Sequence, residues 1–119
     1  RCASTATRTG SSMAEFSLAA LETIVRDRLA DPEAKSYTRS LAAKGVDKCA
    51  EKFGEEAIET VIAAVQRDGA ALTAEAADVI YHLTVLLAVS ELSWADVLDE
   101  LSRRTAQSGL QEKAGRLPQ

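Results

Sequence analysis

Cysteine, histidine, proline and aromatic residues are all scarce in this 119-residue chain, which holds two cysteines, one histidine, two prolines and 4% aromatics. Each shortage removes a class of protein. Two cysteines, one of them (Cys2) in a polar N-terminal stretch, cannot build a disulfide scaffold and point to a reducing cytoplasm. Cys49 reads as a small buried residue rather than a nucleophile. A single histidine without paired cysteines excludes zinc held through Cys/His spacing. Basic residues are outnumbered 14 to 18, giving a formal net charge of −4, and this argues against an electrostatic nucleic-acid binder. No uninterrupted apolar run approaches the roughly 20 residues of a spanning helix, so no membrane partner is expected. The first apolar stretch, Leu18 to Val25, is broken by Glu22 and is no secretory signal. Also missing are a Ser/His/Asp pattern, a phosphate-cradling glycine loop and a dinucleotide fingerprint.

What the chain does have is apolar material at helical period. At 46% hydrophobic and 27% charged it can bury a core, and its length suits one domain. Residues 1–12 read as a flexible leader or cloning remnant before a start at Met13, with residues 13–119 as a single domain and a polar tail from about 105. Leu18, Leu21, Val25 and Leu29 share one face of a first helix that stops at Asp31-Pro32. A short second helix is expected over Ser36 to Lys44, closed by Gly45. Asp47 is the expected N-cap of a long third helix reaching about Arg67, with Phe53, Ala57, Ile58, Val61, Ile62 and Val65 as its apolar side and Asp68-Gly69 as its end. A fourth, from about Thr73 to Ser90, is apolar almost all round, and five modest helices offer little to cover it, so a homodimer is expected to bury it. Ser93 with Asp96 three residues on resembles a capping box for a fifth helix. Strand-like alternation is absent, and the expected class is all-α, a helical bundle completed by homodimerisation.

Against this background the acids are unevenly placed. Residues 51–78 carry seven acids and two bases, whereas the rest carries eleven and twelve. Glu55, Glu56 and Glu59 fall within one arc of the third helix, and Glu75 and Asp78 are neighbours on the fourth. Like charges at these spacings destabilise an isolated helix, and a short turn near Gly69 would bring the two groups together. One reading is a solvated acidic face. The other, left equally open by the pattern, is a Mg2+ site for a phosphate-bearing substrate: Asp78 lies within the most apolar helix, where an unpaired carboxylate is costly, and His82 shares its face. His82, one turn beyond Asp78, is either a core or interface histidine or part of the site. Lys48 and Lys52 either pair within the helix (Lys52 with Glu56, Lys48 with Glu51) or neutralise phosphate.

Glu56-Ala57-Ile58-Glu59, followed after fifteen residues by Glu75-Ala76-Ala77-Asp78, resembles the ExxE…ExxD signature of the all-α nucleoside-triphosphate pyrophosphohydrolase (MazG-like) superfamily. Ser36-Tyr37-Thr38, Lys52-Phe53-Gly54-Glu55-Glu56, Ala77-Asp78-Val79-Ile80-Tyr81-His82 and a tail with Ser108-Gly109-Leu110, Glu112-Lys113 and Arg116 narrow it to the phosphoribosyl-ATP pyrophosphatase family of histidine biosynthesis. The resemblance implies a cytoplasmic, homodimeric, Mg2+-dependent enzyme that converts phosphoribosyl-ATP to phosphoribosyl-AMP and pyrophosphate. It implies Glu56, Glu59, Glu75 and Asp78 as metal ligands and Glu55, Glu56 and Glu59 as the catalytic carboxylates, with Glu55 either an outer ligand or the group that orients or deprotonates water. Ser36, Tyr37, Thr38, Lys48, Lys52 and His82 are then the candidate substrate contacts. The alternatives are a house-cleaning hydrolase of noncanonical nucleoside triphosphates or a non-catalytic helical dimerisation module.

Overall fold

The computed structural model describes residues 15–33 and 36–106. The expected leader and the Ser108 to Arg116 tail lie outside the described residues. Among the described residues five helices follow one another: α1 (Leu18–Ala30), α2 (Tyr37–Ala43), α3 (Val46–Val65), α4 (Gly69–Val89) and α5 (Trp94–Thr105). No strand occurs among the described residues, so the class is all-α.

Local chemistry sets most helix starts. The hydroxyls of Ser17 and Ser36 accept from the backbone N–H groups of Ala20 and Arg39, capping α1 and α2. Ser93 and Asp96 form the expected capping box at α5. Two expected boundaries move. Gly45, rather than Asp47, precedes α3, because φ of 96° and ψ of 169° let one glycine close α2 and open α3 with no spacer between them. Asp47 sits within the first turn, where its charge faces the positive end of the helix dipole. The fourth helix starts at Gly69 rather than Thr73, because the Asp68 carboxylate accepts from Ala71 N–H at 3.0 Å and caps the helix four residues earlier. The left-handed residue of the α3–α4 turn is Arg67 (φ 58°), and Gly69 is already helical.

Residues 66–68 are the whole connection between two long helices that pack along each other, so α3 and α4 run antiparallel. The buried core is small. Val25 of α1, Leu41 of α2, Cys49 of α3 and Val85 of α4 meet at its centre, with Leu21, Leu29, Tyr81, Leu86 and Val89 against them. Buried Trp94 donates its indole N–H to Thr84 Oγ1 at 2.9 Å, and Thr84 in turn donates to the Ile80 carbonyl. Arg26 ties α1 to the α4–α5 turn through the Leu92 carbonyl, and Glu22 accepts from Trp94 N–H.

The apolar surface is larger than the periodicity alone conveys. Ile58, Val61, Ile62 and Val65, the expected apolar side of α3, form a stripe 49–75% exposed. Phe53 is only half-buried. The expectation that no segment could span a membrane was too strong, since α4 is long and apolar enough by length and composition. Glu75, Asp78 and His82 interrupt it, which is why no unbroken apolar run marks it in the sequence.

Candidate functional site

The acidic residues of α3 and α4 meet across the antiparallel pair. Glu56 from α3 and Glu75 and Asp78 from α4 each offer one carboxylate oxygen, and these oxygens lie within 4.8 Å of one another. Their spacing is what carries them there. Glu75 and Asp78, three apart, project from one face of α4, and a three-residue turn holds that face opposite Glu56.

Burial within the group is uneven. Asp78 is exposed, so the burial cost expected at this position falls elsewhere. It falls on Glu75, which is half-buried and whose Oε1 is shielded from solvent without a hydrogen-bond partner. Dehydration pushes the Glu75 carboxyl up, and Glu59, Asp78 and Glu56 push it further in the same direction. Glu59 stands outside the close triple, but its carboxylate reaches Glu75, and the two line a depression of about 200 Å³ with Ile62, Ala63, Gln66 and Ala71.

An octahedral Mg2+ holds oxygens at about 2.1 Å, which sets opposite ligands roughly 4.2 Å apart. Three oxygens within 4.8 Å fit a small hard cation with little movement, and the Glu75 carboxylate that supplies one of them also has a buried oxygen without a partner. Four acids without a cation repel one another; with one, the same cluster becomes a template for polyphosphate.

Glu55 takes another role in the arrangement. It is exposed and forms an ion pair with Lys52 at 3.1 Å, so Lys52 pairs with Glu55 rather than with Glu56. The bond holds the Glu55 carboxyl below, and the Lys52 ammonium above, its ordinary range. Lys48 pairs with Glu51 at 3.4 Å, as expected.

The remaining candidates line the α2–α4 contact. Ser36 spends its hydroxyl on the α2 cap. Tyr37 is 54% exposed, and its ring meets that of His82 edge-on with centroids 5.9 Å apart. Thr38 has no accessible surface, and its hydroxyl is hydrogen-bonded to that of Tyr81, so direct contact with a ligand would require it to leave Tyr81. His82 is 5% exposed, and its Nδ1 is buried without a partner. Burial lowers its affinity for a proton, although Glu56 and Asp78 lie near enough to oppose that. Sequence reasoning passed over Tyr81; the only signal was its place between Ile80 and His82, and its role shows only once α2 is packed against it.

The family described as phosphoribosyl-ATP pyrophosphohydrolase matches this chain over residues 18–105. The phosphoribosyl-ATP pyrophosphatase of Rhizobium johnstonii is 55% identical over 104 residues, covering 87% of this chain and 97% of its own length. That of Dinoroseobacter shibae is 57% identical over 100 residues, covering 83% and 97%. That of Rhodobacter capsulatus is 61% identical over 87 residues, covering 73% and 84%.

Proposed function

The chain belongs to the phosphoribosyl-ATP pyrophosphohydrolase family, and on that premise we propose that it hydrolyses phosphoribosyl-ATP to phosphoribosyl-AMP and pyrophosphate with Mg2+ as cofactor. The observation that carries this reading is the convergence of one carboxylate oxygen each from Glu56, Glu75 and Asp78, beside a Glu75 carboxylate that has a buried, unpartnered oxygen. Glu56, Glu59, Glu75 and Asp78 are the proposed metal ligands.

A bound Mg2+ supplies charge neutralisation for the triphosphate and a bound water of lowered pKa. The chain's own groups do the rest. Release of pyrophosphate breaks the anhydride between the α- and β-phosphates: a water oxygen bonds to phosphorus, and the bridging oxygen departs with its electron pair. Glu55, kept ionised by Lys52, is suited to accept a hydrogen bond from the attacking water and orient it. Glu56 and Glu59, one turn apart on α3, hold negative charge next to that water, and Glu59 at the rim of the depression takes its proton. Lys52, and Lys48 one turn before it, bring positive charge to the departing phosphates. Ser36, Tyr37 and His82 are the proposed contacts for the rest of the substrate.

Residues 13–119 act as one domain in this reading, and the unit is a homodimer in the cytoplasm. The exposed Ile58, Val61, Ile62 and Val65 stripe supports the dimer, because it forms one contiguous helix face that nothing in the chain covers among the described residues.

Product analysis on phosphoribosyl-ATP tests the proposal. Pyrophosphate release is expected with Mg2+, abolished by chelation, and reduced by at least about 100-fold in Asp78→Asn. Hydrolysis of ordinary or noncanonical nucleoside triphosphates without turnover of phosphoribosyl-ATP would instead favour a house-cleaning hydrolase. Absence of any Mg2+-dependent shift in melting temperature would favour a non-catalytic helical module.

A further inference from the structure

Three rings and one partly buried pair of hydroxyls lie where α2 meets α4. The hydroxyls of Thr38 and Tyr81 share a hydrogen bond, and Thr38 is wholly buried. The half-buried Tyr81 ring meets His82 edge-on, with centroids 5.1 Å apart, and lies 23° from parallel with Tyr37 at 6.4 Å. Tyr37 also meets His82 edge-on at 5.9 Å. Tyr81 therefore contacts both the His82 ring, which lies near Glu56 and Asp78, and the Tyr37 ring that meets His82, and through Thr38 it grips the helix that carries Tyr37.

Packing alone does not explain the Tyr81 hydroxyl. Phenylalanine would fill nearly the same volume without bringing a polar atom to the wholly buried Thr38. A paired hydroxyl adds only a modest net stabilisation, whereas an unpaired one is costly, so such a pair selects one register more than it strengthens the fold. Register matters here because α2 has seven residues, too few to hold its own position. Its first turn bears Ser36 and Tyr37. Tyr37, 54% exposed, is the most open ring of this cluster, and a flat aromatic surface near the proposed phosphate site suits a purine base.

We propose that Tyr81 is a positioning residue, which through Thr38 and the Tyr37 and His82 rings fixes the surface that receives the base of the substrate. The inference rests on the phosphoribosyl-ATP reading above. Because the base lies away from the bond that breaks, loss of this positioning weakens binding without slowing the chemical step.

Steady-state kinetics on phosphoribosyl-ATP, with melting curves on the same samples, test it in Tyr81→Phe, Thr38→Val, Thr38→Ser and the Tyr81→Phe/Thr38→Val double variant. The two hydroxyl deletions are each expected to raise KM about tenfold with kcat within about twofold of wild type. The double variant should be no worse than either single one, since all three lose the same bond. Thr38→Ser, which keeps the hydroxyl, should stay near wild type. Unchanged KM in Tyr81→Phe, whatever its melting temperature, overturns the proposal, as does a Thr38→Ser variant impaired like Thr38→Val. Wild-type protein that releases no pyrophosphate from phosphoribosyl-ATP overturns the underlying reading and this inference with it; an active wild type with insensitive variants overturns the inference alone.

Discussion

At Glu75, dehydration and the carboxylates of Glu59, Asp78 and Glu56 act in the same direction, each opposing the charged form. Neutralising this side chain should relieve the metal-free protein while removing a proposed ligand. Glu75→Gln is therefore expected to melt at a higher temperature than wild type in chelator, and to lose the Mg2+-dependent rise that wild type shows. Differential scanning fluorimetry with and without Mg2+ checks both signs, and a variant that melts lower in chelator would contradict the electrostatic account. Much at this scale was legible in the sequence, because the intervals between Glu55, Glu56 and Glu59 and between Glu75 and Asp78 fix which carboxylates share a helix face. Which of them bears the burial was not. Asp78 has the more apolar flank yet lies exposed, and Glu75 takes the cost, because burial depends on where α3 lies against α4.

The helix ends show the same division. Ser93 and Asp96 close a capping box within four consecutive residues, so residue types were enough to place it. Gly45 was harder to read, because it serves two helices at once and its backbone angles belong to neither. That conformation is nearly closed to residues with a Cβ, so Gly45→Ala should cost about 1–3 kcal/mol even though no neighbour would clash with the added methyl. Chemical denaturation should show this as a lower midpoint at unchanged m-value. Asp68 was read as a stop for α3 when it also starts α4. One carboxylate next to a glycine suits either role, and the bond to Ala71 N–H decides it.

For the whole molecule, the exposed α3 stripe and the partly covered α4 lead to one expectation. Wild-type protein should sediment at twice the chain mass at micromolar concentration. Val65→Lys, at the most exposed position of the stripe, should shift it toward the monomer and lower its melting temperature. A wild type that sediments as a monomer would remove the dimer from the proposal. Helical class, the five helices among the described residues, the Ser93–Asp96 capping box and the clustering of acid between residues 51 and 78 follow from the sequence alone, because each depends on residues within a few turns of one another. Tertiary structure decided that Glu56, Glu75 and Asp78 converge, that Lys52 answers Glu55, and that Thr38 turns inward to Tyr81. It also left the Ile58 to Val65 stripe uncovered. Helical periodicity tells which residues share a face; only the packing of one helix on another tells what that face meets.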